Sequence, residues 1–334
     1  MSTPLAGQAT NAAAPASMSQ GPAKRDAKLI VAAFAAIYLI WGSTYLAISI
    51  GIQSLPPLVL SAMRHLTAGL ILFPLLRWKT GIRPTHAQWR TAGITGLLLI
   101  LMGNGGVCLS ERTVPTGVAA LIVALVSFWM VLLEWLRPGG LRPVPRVVAS
   151  LVLGFAGLAV LVGPAHLGGS LRIDLTGAGI LVVSSFSWAC GSIYSKHHDL
   201  PSSPMLSVAM QSLVGGIALW IVSLASGEVR DLHFTAISAR SWMALAYLIV
   251  FGSGIGFTAY VYLLKNTSAA RVGTYPFVNP VVALFLGWLW AGEKITLRTG
   301  LAAAVILTAV LLVITAPHKT AIEAAEVLPN PGEA

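Results

Sequence analysis

Ten apolar segments, each about 20 residues long, follow one another along the 334-residue chain. A membrane hydrocarbon core about 30 Å thick is crossed by roughly 20 apolar residues in a helix. Charged residues make up only 10% of the chain, too few to cover the surface of an ordinary soluble enzyme. We therefore predict an all-α membrane protein with ten transmembrane helices. They lie near residues 29–52, 58–77, 91–110, 114–135, 146–163, 177–195, 205–226, 242–264, 270–290 and 296–316.

The two ends of the chain differ from this apolar body. Residues 1–28 are rich in Ala, Ser, Gln, Gly and Pro, and residues 317–334 are polar and contain proline, so both are predicted to be disordered tails. The first apolar stretch has some 24 residues. The apolar region of a secretory signal peptide has about 7–15. The sequence therefore favours a first transmembrane helix over a cleaved signal peptide.

The basic residues predict an orientation. A net charge of +10 would suggest nucleic acid in a soluble protein, but here Lys and Arg stand in short gaps between apolar segments. With a cytoplasmic N-terminus, the cytoplasmic segments hold 14 of the 21 basic residues, the opposite loops hold six, and Arg64 lies within a span. Because cytoplasmic loops carry the excess of Lys and Arg, both termini are predicted to be cytoplasmic, and no nucleic-acid partner is expected.

The two halves of the chain repeat a pattern. Similar segments recur in the same order: Trp41-Gly42-Ser43-Thr44-Tyr45 and Trp188–Tyr194, Met63–Gly69 and Met210–Gly216, Gly103–Gly106 and Gly252–Gly256. Each half has five spans, an odd number, so the second copy crosses the membrane in the opposite sense. Such inverted-topology repeats are typical of secondary transporters, with a substrate site near the midplane between the repeats. The predicted repeats are residues 29–163 and 172–316.

These residues carry a resemblance to a known family. The motif Trp41–Tyr45, Arg64, the run Tyr275-Pro276-Phe277-Val278-Asn279-Pro280 and Gly292-Glu293-Lys294 resemble the drug/metabolite transporter superfamily. The likeness is to its EamA-type, ten-helix members and to the inner-membrane efflux subgroup. It implies a bundle of two five-helix repeats that exports small metabolites from the cytoplasm across the inner (plasma) membrane.

One position departs from the family pattern. The family's fourth helix usually carries a proline that matches Pro280 of the second repeat, whereas this chain has Ser127. The sequence therefore predicts that the symmetric helix break is lost in the first repeat.

Helix nine offers the first candidate site. Pro276 and Pro280 each lack a backbone N–H, which leaves helical carbonyls to be satisfied by protein or water. Tyr275 and Asn279, four residues apart, share one face. The functional interpretation is a substrate-facing kink with Asn279 as the hydrogen-bonding group, and the alternative is a packing kink.

Aromatic residues offer a second candidate. Trp41 and Tyr45 share one stripe of helix one, and Trp188 is the repeat counterpart of Trp41. We expect Trp41, Tyr45 and Trp188 to contact substrate. The alternative interpretations are that they pack against other helices or belong to an aromatic belt at the membrane interface. Trp188 and Tyr194 are six residues apart, so both cannot face one cavity.

Helices three and eight contribute polar positions. Asn104, Cys108 and Glu111 form one stripe beside glycines, which could line an aqueous path or pack against a neighbour. Glu111 next to Arg112 is expected to be solvated. Ser253 and Tyr260 share a face of helix eight.

The charged residues limit the kinds of substrate that the cavity can bind. Arg64 is read as a gate or scaffold residue in preference to a substrate contact, and Glu111, Pro276 and Pro280 as gating or structural residues. None of the eleven acids is central in a span. Proton relays and cation sites in membranes usually use buried carboxylates. The expected cavity is therefore aromatic and polar through Asn, Ser and Tyr.

The sequence thus predicts a secondary transporter that exports small neutral or zwitterionic metabolites, amino-acid-like compounds or drugs, by alternating access. No catalytic residue, metal site or cofactor is expected. The expected partners are a small-molecule substrate, the lipid bilayer and, where transport is coupled, an ion or proton. The expected oligomeric state is a monomer or homodimer. A nucleotide-sugar or sugar-phosphate antiporter is the alternative and would need more basic lining than Arg64. An intramembrane enzyme, which would need a nucleophile–base pair or metal ligands at depth, and a structural membrane subunit are the alternatives from other classes.

Overall fold

A computed structural model describes residues 27–114, 116–140, 142–162, 174–291 and 296–316. Ten helices follow one another in this part of the chain. They are α1 Ala27–Gly51, α2 Pro57–Thr80, α3 His86–Ser110, α4 in two segments Thr116–Val123 and Leu125–Leu136, α5 Pro145–Val162, α6 Leu175–His197, α7 Pro204–Ser226, α8 Ala239–Asn266, α9 in two segments Ala269–Val272 and Tyr275–Ala291, and α10 Leu297–Ile314. The predicted all-helical architecture is confirmed. The run Gly292–Lys294 and most of both predicted tails lie outside the described residues.

The outer surface of these helices is apolar. Seven of the described helices are each long and apolar enough to cross a membrane, while α4, α5 and α9 are shorter or interrupted. Large apolar side chains such as Leu39, Leu70, Val152 and Ile221 are more than half exposed. Apolar exposure on this scale is costly in water and marks a membrane contact. The helices therefore present their outer faces to lipid and keep their polar residues inside.

Helix starts follow from local capping. Thr85 accepts a hydrogen bond from the Gln88 backbone while the Gln88 side chain accepts from the Thr85 backbone, which fixes the start of α3. Ser203, Ser238 and Thr296 cap α7, α8 and α10 without such a return bond, each by accepting one backbone N–H at its hydroxyl. Short polar loops thus suffice to end one helix and begin the next.

The expectation that α4 lacks a break is wrong. The helix is interrupted at Ala124, where the Ser127 N–H bonds the Ala124 carbonyl at 3.0 Å, one residue nearer than in an α-helix. The Ser127 hydroxyl donates to the Gly273 carbonyl at 2.5 Å, across to the interruption in α9. Ser127 therefore joins the two broken helices by a hydrogen bond, in the position where the family has a proline.

The expected kink at Pro276 is not found, because the helix breaks just before this proline. Helix α9 breaks at Gly273 and Thr274, and Pro276 lies in the first turn after the break. A missing N–H costs little in a first turn because that group has no helical partner there. The N–H of Phe277 bonds the Thr274 carbonyl at 3.1 Å. Pro280 is the proline that lies inside the helix.

Helices α3 and α8 share a further irregularity. Gly96–Gly105 of α3 and Leu248–Gly256 of α8 are π-helical, with α-helix on both sides. The two segments are the Gly-rich stretches that occupy equivalent places in the two repeats. Such π-helical turns are rare and occur frequently at functional sites.

The two repeats meet along α2 and α7. A Cβ atom on Gly69 would lie 2.8 Å from the Leu213 backbone nitrogen, and one on Gly216 would lie 2.6 Å from the Leu66 nitrogen. Only glycine permits this approach of the two backbones. The contact is reciprocal because Gly69 and Gly216 are equivalent in the repeats.

Candidate functional site

A narrow cavity lies between the two repeats near the middle of the helices. It offers about 80 Å³ to the centres of water molecules, which is room for several waters. Its walls come from α1, α2, α3, α4, α6, α8 and α9. The lining residues are Trp41, Thr44, Tyr45, Ile48, Arg64, His65, Gly103, Asn104, Val107, Val123, Val126, Ser184, Ser185, Trp188, Gly252, Phe257, Tyr275 and Asn279.

Aromatic rings form one end of this cavity. The ring centroid of Trp41 lies 4.9 Å from Tyr275, 5.0 Å from Tyr260 and 5.6 Å from Trp188. The Trp188 indole N–H donates to the Tyr260 hydroxyl at 2.9 Å, and that hydroxyl shares a 2.5 Å hydrogen bond with Ser192. Rings from both repeats are therefore held in fixed orientations by edge contacts and hydrogen bonds.

Two glycines hold the equivalent tryptophans in place. A Cβ atom on Gly256 of α8 would lie 2.6 Å from the Trp41 indole nitrogen, and one on Gly103 of α3 would lie 2.8 Å from Trp188 Cε3. The tryptophan of each repeat thus packs against the π-helical, Gly-rich segment of the other repeat. The Trp41 N–H also donates to the Gly252 carbonyl at 3.3 Å.

Asn279 supplies a polar group to the cavity wall. The residue is 2% exposed, and its side-chain oxygen Oδ1 accepts no hydrogen bond from any described residue. Its side chain interacts with the Tyr45 hydroxyl. A buried acceptor without a partner is costly, so Asn279 Oδ1 is open to a ligand N–H.

The side-chain oxygen of Asn104 already has a hydrogen-bond donor. Its Oδ1 accepts from the Ser61 hydroxyl at 2.9 Å and lies 3.8 Å from the Cys108 sulfur. It therefore both lines the cavity and joins α3 to α2.

Arg64 lines the same cavity and is 4% exposed. Its Nε donates to the Ser253 hydroxyl at 3.0 Å. Ser253 is fully buried and does not line the cavity, so its hydroxyl positions the guanidinium. Neighbouring His65 packs edge-on against Phe257, and its side chain interacts with that of Asn104.

The expectation that Glu111 is solvated is wrong. Both of its carboxylate oxygens are buried without a hydrogen-bond partner among the described residues. Arg112 pairs instead with Glu228, at 3.4 Å, and Glu228 also accepts from the Leu58 N–H at 2.9 Å. Glu228, at the end of α7, thereby joins the adjacent ends of α2 and α3.

Polar contacts also close the opposite end of the bundle. Glu134 of α4 contacts His197 of α6 at 2.9 Å, and Lys265 of α8 donates to the carbonyls of Lys196 and His198. A second cavity of about 380 Å³ lies beside these residues. Its basic lining residues are Arg137, Arg142, Lys196, Lys265 and Arg271. Their spacing along the chain does not predict that they converge.

Six of the eight predicted substrate-binding residues line the central cavity: Trp41, Tyr45, Asn104, Trp188, Tyr275 and Asn279. Tyr260 and Ser253 lie behind it, where they hold Trp188 and Arg64. Glu111, Pro276 and Pro280 are not among its lining residues. Thr44, Ser184 and Ser185 line it without having been predicted, because small hydroxyl residues in apolar runs are common in membrane helices and give no distinct signal.

Comparison with known proteins agrees with this architecture. Residues 28–163 and 175–315 each match the EamA-like transporter family. The inner membrane transporter YedA of Escherichia coli K12 is 38% identical over 83% of this chain and 88% of its own length. An E. coli K12 protein named "Probable amino-acid metabolite efflux pump" is 24% identical over 81% of this chain and 90% of its own length.

A solved crystal structure shares the fold. It superposes with a TM-score of 0.68 at 20% identity and covers 86% of this chain and 97% of its own. At that identity the likeness concerns the fold alone. With two repeats matched over most of its length, the chain belongs to the EamA-like transporter family.

Proposed function

We propose that this membrane transporter exports small neutral or zwitterionic metabolites, amino-acid-like compounds or drugs, by alternating access. The observation that carries the proposal is the aromatic cavity between the repeats, with an open acceptor at Asn279 Oδ1. Because the cavity is small, we infer that the transport path is narrow on both sides of it in this conformation. Substrate entry then requires the helices around the cavity to separate on one side at a time.

The named relatives support the same class of activity. One is named an inner membrane transporter and another a probable amino-acid metabolite efflux pump. These names favour a carrier over an intramembrane enzyme or a structural subunit. By analogy with these relatives we propose that the chain lies in the inner membrane. The distribution of Lys and Arg in its sequence supports a cytoplasmic location for both termini, and we propose that it acts as a monomer or homodimer.

A sugar-phosphate or nucleotide-sugar antiporter is the second candidate. The basic second cavity favours it, because phosphate is bound by clustered Arg and Lys. That cavity lies at one end of the bundle, whereas Arg64 is the one Lys or Arg among the described residues that line the central cavity. We therefore rank the phosphate substrate below the amino-acid-like one.

Replacing Asn279 by Ala tests the cavity. The loss of one substrate hydrogen bond of about 0.5–1.5 kcal/mol is expected to weaken apparent affinity about 2- to 13-fold. The measurement is tracer counterflow of amino acids by purified protein in liposomes, alongside thermal unfolding in detergent. Asn266→Ala is the matched control, since Asn266 donates to the Tyr262 carbonyl away from the central cavity. Equal transport by the parent and Asn279→Ala would show that Asn279 is a packing residue.

The orientation can be tested with reporter fusions. The distribution of Lys and Arg predicts that fusions after residues 28 and 85 and after Ala316 report a cytoplasmic location. A fusion in the loop between α1 and α2, after Gln53, should report the opposite side. A periplasmic signal after Ala316 would contradict both the ten-span count and the inverted repeat.

A further inference from the structure

Arg64 is a buried cation whose hydrogen-bonding capacity is only partly used. Its Nε donates to Ser253 Oγ, but Nη1 is buried and has no hydrogen-bond partner among the described residues. Nη2 faces Gly252, where an added Cβ would lie 3.2 Å from it. A guanidinium has five N–H donors in a planar fork, so one edge of this fork remains for another acceptor.

The described part of the chain provides no close counter-charge. None of its salt bridges within 4.0 Å involves Arg64. Glu111 acts on Arg64 through space, but its oxygens are themselves without a hydrogen-bond partner. A charged side chain inside a membrane bundle is costly unless it is paired. The missing partner of Arg64 is therefore expected to come from what enters the cavity.

The second repeat carries no charge at the equivalent position. Gln211 occupies the position equivalent to Arg64, is fully buried, and does not line the central cavity. A neutral side chain of similar length is thus accommodated at this place in the helix pair. The positive charge is confined to the repeat whose side chain reaches the cavity.

From this arrangement we propose that Arg64 binds the carboxylate of the transported substrate, which makes the preferred substrates carboxylate-bearing zwitterions with an apolar or aromatic side chain. The inference rests on the proposed function and narrows its substrate class. A carboxylate accepts two parallel N–H bonds from a guanidinium edge. The rings of Trp41, Trp188 and Tyr275 face the same space and suit an apolar side chain. Asn279 Oδ1 is an acceptor for the substrate ammonium.

The test uses compounds that share one side chain. Phenylalanine, N-acetylphenylalanine, phenylalaninamide and phenethylamine compete with labelled phenylalanine for transport by the full chain in liposomes. The parent is expected to prefer phenylalanine over the amide and the amine by about 10- to 150-fold, the range of a hydrogen bond to a charged group. N-acetylphenylalanine keeps the carboxylate but lacks the ammonium, so it should compete less well than phenylalanine and better than the amide. Arg64→Gln should reduce this preference to less than threefold on the same scale, and Arg64→Lys should retain part of it.

Gln211→Leu is the matched control, because it changes the equivalent buried side chain away from the cavity. It should leave the carboxylate preference of the parent intact. If Arg64→Gln does not insert, the preference of the parent itself and the retained preference of Arg64→Lys still decide the question. An equal response of the parent to phenylalanine and phenylalaninamide, or an unchanged preference in Arg64→Gln, overturns the inference and leaves the proposed function standing. Absence of phenylalanine transport by a parent that still transports alanine overturns the inference, because the aromatic substrate class then fails alone. Absence of transport of every amino acid tested overturns the proposed export of amino-acid-like compounds.

Discussion

Trp41→Ala is expected to weaken the binding of aromatic substrates more than that of small ones and to lower the stability of the protein by about 3–5 kcal/mol, as for other buried tryptophans. The indole contacts three aromatic rings at 4.9–5.6 Å and donates to the Gly252 carbonyl. A lost contact between the indole and an aromatic substrate ring is worth about 0.5–1.5 kcal/mol beyond buried area, or about 2- to 13-fold in affinity. Counterflow with phenylalanine and alanine as paired substrates measures the difference.

Two further variants separate binding from stability. Trp41→Phe keeps a ring in the cavity and should recover most of the preference for aromatic substrates. Trp78→Ala removes a tryptophan that is 81% exposed and does not line the cavity. It should therefore leave the transport of both phenylalanine and alanine unchanged. Equal losses for phenylalanine and alanine in Trp41→Ala would identify Trp41 as a packing residue.

Gly256→Ala is expected to displace the Trp41 indole and impair transport. The new Cβ would stand 2.6 Å from the indole nitrogen and 3.0 Å from Cδ1, so the ring must shift within a packed cluster. Overpacking of this kind costs about 1–3 kcal/mol. Transport in liposomes and the unfolding temperature in detergent are both expected to fall.

The same helix provides the control. A Cβ on Gly254 would meet only the Ile249 carbonyl oxygen at 3.4 Å, an ordinary contact, so Gly254→Ala should behave like the parent. In a Trp41→Ala background, which lacks the indole, Gly256→Ala should cost little further stability. Equal behaviour of Gly254→Ala and Gly256→Ala would show that the clash with Trp41 is not the cause.

The periodic apolar pattern was sufficient to predict the helices, because membrane spans need long apolar runs and leave few alternatives. The repeat of Trp41 at Trp188 likewise led to the cavity, since equivalent positions meet at the interface of an inverted repeat. The hydrogen bonds inside the bundle could not be predicted in this way. Ser127 maintains a helix break without proline through the Gly273 carbonyl, a partner distant in sequence.

Glu111 and Ser253 illustrate a second limit of sequence reasoning. Glu111 stands next to Arg112 in the chain, yet Arg112 reaches Glu228 on α7 and leaves Glu111 buried. Ser253 shares a face with Tyr260, but Arg64 occupies its hydroxyl. Both outcomes depend on which helix packs opposite, and a single sequence does not determine those neighbours. The π-helical turns of α3 and α8 also change the faces that an ideal helix would present.

We propose that the cavity between the repeats is the substrate site and opens to each side of the membrane in turn. Ser185 lines it and is 2% exposed, and cysteine is close to serine in size. With Cys108 and Cys190 replaced by Ser, Ser185→Cys can be treated with a membrane-impermeant thiol reagent in oriented vesicles. We predict modification from either side, slowed by a transported amino acid. Modification from one side only, or at a rate that substrate does not change, would show that this cavity is not a substrate site with alternating access.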